Sequence, residues 1–334
     1  MLLEAKNLNV SYKRDGKEIH AVHDLNLTIE TNEVFGVVGE SGCGKSTLIK
    51  GLLRLLASNG RIRADSIVFD GLDIQNMSAE EFRSEILWKR ISLVPQSAMN
   101  SLNPVYKVGD QIVEVIQEHS GMTVAEARIR VAELLESVGL QAELANSYPH
   151  QFSGGMRQRA MIAMSLALNP KLIIMDEPTT GLDVLVQDKI LRTLADVRHQ
   201  YNCSILLISH DIAIMSELAS RIGVMYAGSF VETAQTDDIF HHPSHPYTMG
   251  LTNAFPSIRD LDRELISIPG SPPVIDSDEP KCWFNQRCPF ALDACSRITP
   301  EETNLQNSHR VSCLRFEERV ELADKAKRKA TWIS

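Results

Sequence analysis

The sequence predicts an α/β fold with a small irregular extension at its C-terminal end. Three observations predict it. Short continuous apolar runs recur at Val34–Val38, Ile91–Val94, Leu172–Met175, Ile205–Ile208 and Ile222–Met225, and runs of this length without alternation suit strands buried on both faces of a parallel sheet. Segments with helical composition and spacing alternate with them at Thr47–Leu56, Met156–Leu168 and Val186–Tyr201. After about residue 235 this order fades, and His241-His242-Pro243-Ser244-His245-Pro246 and Pro269-Gly270-Ser271-Pro272-Pro273 punctuate the chain.

The remaining elements follow in order. Two β-rich runs, Leu3–Tyr12 and Ile19–Ile29, open the chain around a polar turn at Asp15-Gly16-Lys17. Residues 105–148 read as helical, with Val108–His119 and Thr123–Val138 as the two main segments, an insertion between two strands of the sheet. A boundary is expected near 235. The 334 residues suit about two domains, and 43% hydrophobic with 23% charged residues is ordinary globular composition. No apolar run approaches the ~18–20 residues that span a bilayer, and Met1–Lys6 shows no signal pattern, so a cytosolic chain is expected unless a partner holds it to a membrane. The net charge of −9 argues against a dedicated nucleic-acid binder.

Gly39-Glu40-Ser41-Gly42-Cys43-Gly44-Lys45-Ser46 fits G-x-x-x-x-G-K-[ST] between an expected strand and an expected helix, the context of a phosphate-binding loop. Glycines let backbone N–H groups curl around a phosphate, and the helix beginning near Lys45 adds its positive end. The phosphate-binding set is Gly39, Ser41, Gly42, Cys43, Gly44, Lys45, Ser46 and Thr47; Lys45 reaches the β- and γ-phosphates and Ser46 is a Mg²⁺ ligand. Leu172–Met175 runs into Asp176 and Glu177. Asp176 suits a second Mg²⁺ contact, and Glu177, one residue on, points differently and is placed to polarise a water. Ser153-Gly154-Gly155 before a further helix is a second glycine-bearing N-terminus and a second anion site. One phosphate chain already has its loop, so the second site is expected to cover the nucleotide of a partner in a head-to-tail dimer.

With Phe152-Ser153-Gly154-Gly155-Met156-Arg157-Gln158-Arg159 in place, residues 1–235 resemble the ATP-binding subunits of ABC transporters. Phe152 and Met156 replace the outer residues of the family's Leu-Ser-Gly-Gly-Gln signature, and Met156 is the departure expected to weaken signalling across the dimer. The resemblance implies a P-loop NTPase core of ABC ATPase type with an antiparallel β subdomain and a helical subdomain at about 97–165. It implies that Tyr12 stacks on adenine, that Gln96 links Mg²⁺ and water to the membrane subunits, that Asp183 in Gly181-Leu182-Asp183 lies on the loop between protomers, and that His210 contacts the γ-phosphate. Catalysis is thereby expected of Glu177, His210, Gln96 and Lys45, and Mg²⁺ binding of Ser46, Gln96 and Asp176.

Pro95-Gln96-Ser97-Ala98-Met99-Asn100-Ser101-Leu102-Asn103-Pro104, His245-Pro246-Tyr247-Thr248 and Ile268–Pro273 narrow the resemblance to the D-type ATPase of oligopeptide/dipeptide permeases, over nearly the whole chain. That implies an ATP-hydrolysing importer subunit at the cytoplasmic face of the inner membrane. Its implied partners are a second, homologous ATPase subunit, two transmembrane permease subunits and an extracytoplasmic binding protein. Relatives import di- and oligopeptides, oligosaccharides of the cellobiose or chitobiose type, or nickel chelates, so peptides lead and the others remain alternatives. A non-transport ABC ATPase is disfavoured by the single cassette and short helical insert, and an exporter by the tail.

Cys282, Cys288, Cys295 and Cys313 crowd into residues 236–334. In a cytosolic chain such a cluster reads as metal binding before disulfides, and four thiolates complete the coordination of zinc or an iron–sulfur cluster. C-x-x-C knuckles are absent, and the tail resembles those of permease ATPases of which some hold a [4Fe–4S] cluster; that cluster is expected ahead of Zn²⁺ or metal-free thiols. His309 reads as a surface residue or a spare ligand, and Cys203 as a buried, inert thiol.

Overall fold

The structure, a computed structural model, describes residues 1–96, 101–254, 266–277, 279–306 and 308–333. Ser97–Asn100, within the motif that begins at Pro95, lie outside the described residues. The chain divides into two units: 1–2, 29–34 and 72–208, and 3–28, 35–71 and 209–334.

In the first unit, β7 (Ile91–Val94), β8 (Leu172–Asp176) and β9 (Ser204–Ser209) lie side by side in parallel, with Ile91 opposite Leu172 and Leu172 opposite Ser204. Burial on these strands explains the run-on hydrophobic pattern: Ile173, Ile174, Leu206 and Leu207 are all sealed from solvent, so both faces are covered. The helical insertion follows β7. Its helices Val108–His119 and Val124–Ser137 bury Val108, Ile112, Val113 and Ile116 on one and Ala127, Val131, Leu134 and Leu135 on the other, spacings that keep each set on one face. Thr123 and Glu126 form a reciprocal capping box that starts the second helix. The buried Arg159, on the helix Gly154–Ser165, donates to the carbonyls of Val138 and Gly139 and ties that helix to the insertion.

In the second unit, β1 (Leu3–Arg14) and β2 (Lys17–Ile29) lie side by side, joined through Asp15 and Gly16, both at positive φ. β1 also pairs antiparallel with β4 (Gly60–Arg63) and β5 (Ser66–Phe69). β3 (Val34–Val38) runs parallel to β10 (Arg221–Tyr226), and β10 turns at Ala227-Gly228 into antiparallel β11 (Ser229–Gln235). β6, the short Leu72–Asp73, belongs to the first unit. Beyond Gln235 the chain returns to the sheet: β13 (Arg310–Val311) pairs with Glu232 and Thr233 of β11, and β12 (Thr303–Asn304) pairs with β13. The extension adds the helices Thr236–His241, Pro246–Asn253 and Arg319–Ala326; the Ala326 carbonyl accepts from Asn253 Nδ2 and Trp332 Nε1, which fastens the last helix down. Among the described residues no helix is long and apolar enough to cross a membrane.

Candidate nucleotide site

The loop Gly39–Gly44 joins β3 to the helix Lys45–Leu52. Its glycines answer to geometry at two positions. A Cβ at Gly39 would stand 2.2 Å from the Met225 carbonyl oxygen, and one at Gly44 would stand 2.2 Å from that of Ala21, with both residues at positive φ. Only glycine permits that approach, and it leaves the helix N-terminus open for an anion. Lys45 is buried, and its Nζ donates to the carbonyls of Gly39 at 2.7 Å and Glu40 at 3.0 Å, so its charge is held inside the loop's own curl. Cys43 is buried with its thiol pushed up by that burial, while its carbonyl accepts from Gly228 N–H; its backbone carries its role. In the same unit Tyr12 is half-buried on β1 opposite Gly60, and His210 is exposed just after β9.

The first unit carries the carboxylates. β8 ends at Asp176, and Glu177 turns sharply away with φ +49 while its N–H donates to the Ile208 carbonyl. That left-handed backbone is uncommon for a residue with a side chain and aims Glu177 away from the strand direction. Glu177 Oε2 accepts from Gln96 Nε2 at 2.9 Å and from Thr180 Oγ1 at 3.0 Å. Thus Gln96 and Glu177, 81 positions apart, meet directly.

Ser153 is exposed and caps the helix Gly154–Ser165 by accepting from Met156 N–H at 3.3 Å. A Cβ on Gly155 would lie 2.5 Å from Val186 Cγ1, so the signature helix packs tightly on the helix Val184–Tyr201. Asp183 caps that second helix through Val186 N–H at 3.0 Å. Val184 and Leu185 stand 79% and 83% exposed beside it.

In the extension, burial pushes the thiols of Cys282 and Cys288 up to about 12 and that of Cys313 up to about 11, and the cysteines influence one another's charge. Backbone N–H groups of Leu292 and Arg315 point at the sulfurs of Cys295 and Cys313, both at 3.4 Å. Among the described residues no group of three or more His, Cys, Asp or Glu side chains is placed to hold a metal ion, which gives the expected [4Fe–4S] or zinc site no structural support. His309 is neither a surface residue nor a spare ligand: it is buried, and its Nε2 meets Glu232 Oε1 at 2.7 Å. Cys203 is buried as expected, its thiol pushed up to about 11.

Two residues outside the expected site set also belong to the phosphate loop's surroundings. Arg287, adjacent to Cys288, pairs with Glu40 of the loop through both guanidinium ends, at 2.6 and 2.9 Å, and Tyr247 Oη accepts from Glu40 N–H at 3.0 Å. Tyr247 lies in the His245-Pro246-Tyr247-Thr248 motif and Arg287 beside the cysteine cluster, but neither position announces a contact with Glu40.

Comparison with known proteins is consistent along the chain. A family model described as ABC transporter matches residues 22–180, and one described as oligopeptide/dipeptide transporter, C-terminal region, matches 231–295. An oligopeptide transport ATP-binding protein of Salmonella typhimurium is 41% identical over 90% of this chain and 90% of its own length. One from Bacillus subtilis is 41% identical over 95% and 97%, and a dipeptide transport ATP-binding protein of the same organism is 39% identical over 96% and 97%. Among solved structures, a dimeric post-hydrolysis ATP-binding cassette with ADP and Pi superposes at TM-score 0.62 with 26% identity, covering 70% of this chain and 99% of that one.

Proposed function

This chain belongs to the ATP-binding subunits of oligopeptide and dipeptide ABC transporters, and we propose that it hydrolyses ATP to drive uptake of di- and oligopeptides through separate membrane subunits. The observation that carries this is that the likeness to peptide-transport ATPases spans both the cassette and the extension.

The division of labour follows from the residues. Lys45 exchanges its bonds to the Gly39 and Glu40 carbonyls for β- and γ-phosphate oxygens, and the helix N-terminus behind it adds backbone donors. Tyr12 stacks on adenine. The hydroxyl of Ser46, the amide oxygen of Gln96 and the carboxylate of Asp176 are hard oxygen donors of the kind Mg²⁺ takes. When bound, Mg²⁺ neutralises charge on the phosphates. Glu177 accepts a proton from the attacking water; Gln96 and Thr180 hold its carboxylate for that task. His210 stabilises the transferring phosphoryl group. Ser153, Gly154 and Gly155 cover the ATP of a second, homologous ATPase subunit, and Asp183 holds the loop between the two. Two permease subunits and an extracytoplasmic binding protein complete the importer, with this chain at the cytoplasmic face.

Cys282, Cys288, Cys295 and Cys313 would hold a [4Fe–4S] cluster in the assembled protein, a reading that rests on the crowding of four thiols into the C-terminal extension. No step of hydrolysis runs through it. Anaerobic reconstitution with iron and sulfide, followed by an absorbance scan and metal analysis, tests it; a colourless, metal-free product refutes it.

The transport reading is tested in vesicles containing the full importer. ATP-dependent uptake of a labelled di- or oligopeptide is expected, and it stops with Lys45→Ala. Uptake of an oligosaccharide or a nickel chelate in place of peptide overturns the substrate assignment.

A further inference from the structure

Glu40 occupies a variable position of the phosphate loop, yet the structure fixes all of its polar groups. Its N–H donates to Tyr247 Oη at 3.0 Å. Its carbonyl accepts from Lys45 Nζ at 3.0 Å and from Cys43 N–H at 3.3 Å. Its carboxylate takes both ends of the Arg287 guanidinium. Two of these three holds come from the extension, 207 and 247 positions away.

Arg287 is itself built into place. It is 9% exposed, and each of its five N–H groups has an acceptor. Nε donates to the Pro269 carbonyl at 2.7 Å, and Nη1 to Glu40 Oε2 and, at 3.3 Å, to Tyr226 Oη. Nη2 donates to Glu40 Oε1 and to the carbonyls of Ile268 and Gly270. Burial opposes the charge, and the bonds from Glu40 and Tyr226 outweigh it, so Arg287 is held above its usual range. Beneath it Tyr226, Tyr247 and Phe284 pack ring to ring, with centroids 4.7, 5.2 and 5.4 Å apart, and all three are buried. A lysine in this place has three donors on a point charge and cannot span the carboxylate, the hydroxyl and three carbonyls.

We propose that Arg287 is a positioning residue of the phosphate loop: from the cysteine-bearing extension it orients and neutralises Glu40, so that the loop's affinity for MgATP depends on the extension's fold. The inference rests on the ATPase reading above. The physical reasons are two. A carboxylate left unpaired on a loop that receives a triphosphate repels it, and a loop with one anchor removed must be ordered by the nucleotide at a cost in affinity.

The test uses the full-length chain, with steady-state MgATP hydrolysis and direct titration with a fluorescent ATP analogue. Arg287→Met is expected to raise KM about tenfold with kcat within about twofold. Arg287→Lys folds more safely and is expected to raise KM about fivefold in the wild-type loop, but less than about twofold in a Glu40→Gln background, because the two residues act as one pair. Wild-type KM in a folded Arg287→Lys protein, or an equal shift in both backgrounds, overturns the proposal. Absence of hydrolysis by the wild-type chain with its partners refutes the underlying ATPase reading instead, a result distinguishable from normal hydrolysis with an unshifted KM.

Discussion

Two glycine-bearing helix N-termini in this chain look alike in sequence and differ in company. At Gly39–Lys45 the chain supplies its own furnishings: Lys45 curled onto two carbonyls, Gly44 against Ala21, and Glu40 held by Tyr247 and Arg287. At Ser153–Gly155 the cap is a single exposed serine bonded to Met156 N–H, and the tight contact is behind the loop, at Val186. The first is a phosphate site furnished from within; the second offers an open N-terminus and a rigid back. The contrast fits the proposal that the first site takes this chain's nucleotide and the second covers the nucleotide of a second, homologous ATPase subunit.

The furnished end gives the most severe test of that contrast. Lys45→Ala removes the cation proposed to exchange the loop carbonyls for phosphate oxygens, and hydrolysis is expected to fall at least about 100-fold, worth about 2.7 kcal/mol of transition-state stabilisation. Hydrolysis near the wild-type rate would show that the loop's backbone alone suffices. Glu177→Gln separates chemistry from binding: kcat is expected to drop about 100-fold with ATP affinity within about threefold, since the amide still meets Gln96 but accepts no proton. Size-exclusion chromatography with ATP should then show a trapped dimer, and a monomer that turns over normally would remove Glu177 from the proposed role.

The phosphate loop was legible because its chemistry is local: backbone amides, glycines and one lysine within eight contiguous positions. The sheet was legible for a related reason, since strands buried on both faces cannot hide their composition; Val34–Val38 and Ile91–Val94 match the expected bounds. Two helix starts lie earlier than composition suggests. The helix expected from Met156 begins at Gly154, and that expected from Val186 begins at Val184, because glycines and β-branched residues are weak helix formers while the caps Ser153 and Asp183 settle the matter. The extension was least legible. β12 and β13 have two residues each, too few for a period, and the partners of Glu232 and Glu40 lie far along the chain. His309 reads as a surface residue because nothing near it in sequence announces Glu232.

A smaller effect bears on the open end. Gly155→Ala forces a Cβ to 2.5 Å from Val186 Cγ1, so either helix must shift, at about 1–3 kcal/mol. Nucleotide affinity of the isolated chain is expected to stay as it was, while hydrolysis in the assembled dimer falls about tenfold. Val186→Ala in the same chain makes room for the methyl and should restore most of it. Loss of nucleotide binding in the single variant would mean that the signature helix serves its own chain's ATP, and the contrast between the two termini would fail.

The last effect is the mildest and concerns the furnishings alone. His245 begins the helix Pro246–Asn253 and accepts from Tyr247 N–H through Nδ1 at 3.0 Å; Tyr247 in turn receives Glu40 N–H. The imidazole is buried beside the Phe284 ring, and burial pushes it down to about 3. A group whose folded value lies below its unfolded one, about 6.5, adds stability in full above pH 6.5 and loses it as pH falls toward 3. The unfolded chain binds the proton first, so stability rises with pH across that window. By pH 5 the loss is on the order of 2 kcal/mol. His245→Asn keeps a capping oxygen and removes the titration, so its melting temperature should fall less than the wild type's between pH 7 and pH 5. Equal slopes for the two proteins would show that His245 titrates freely. Because the signature helix has no such residue in its cap, acid should release the extension's hold on Glu40 while leaving the bond from Met156 N–H to Ser153 intact, and hydrogen exchange followed at both termini over that pH range distinguishes the two.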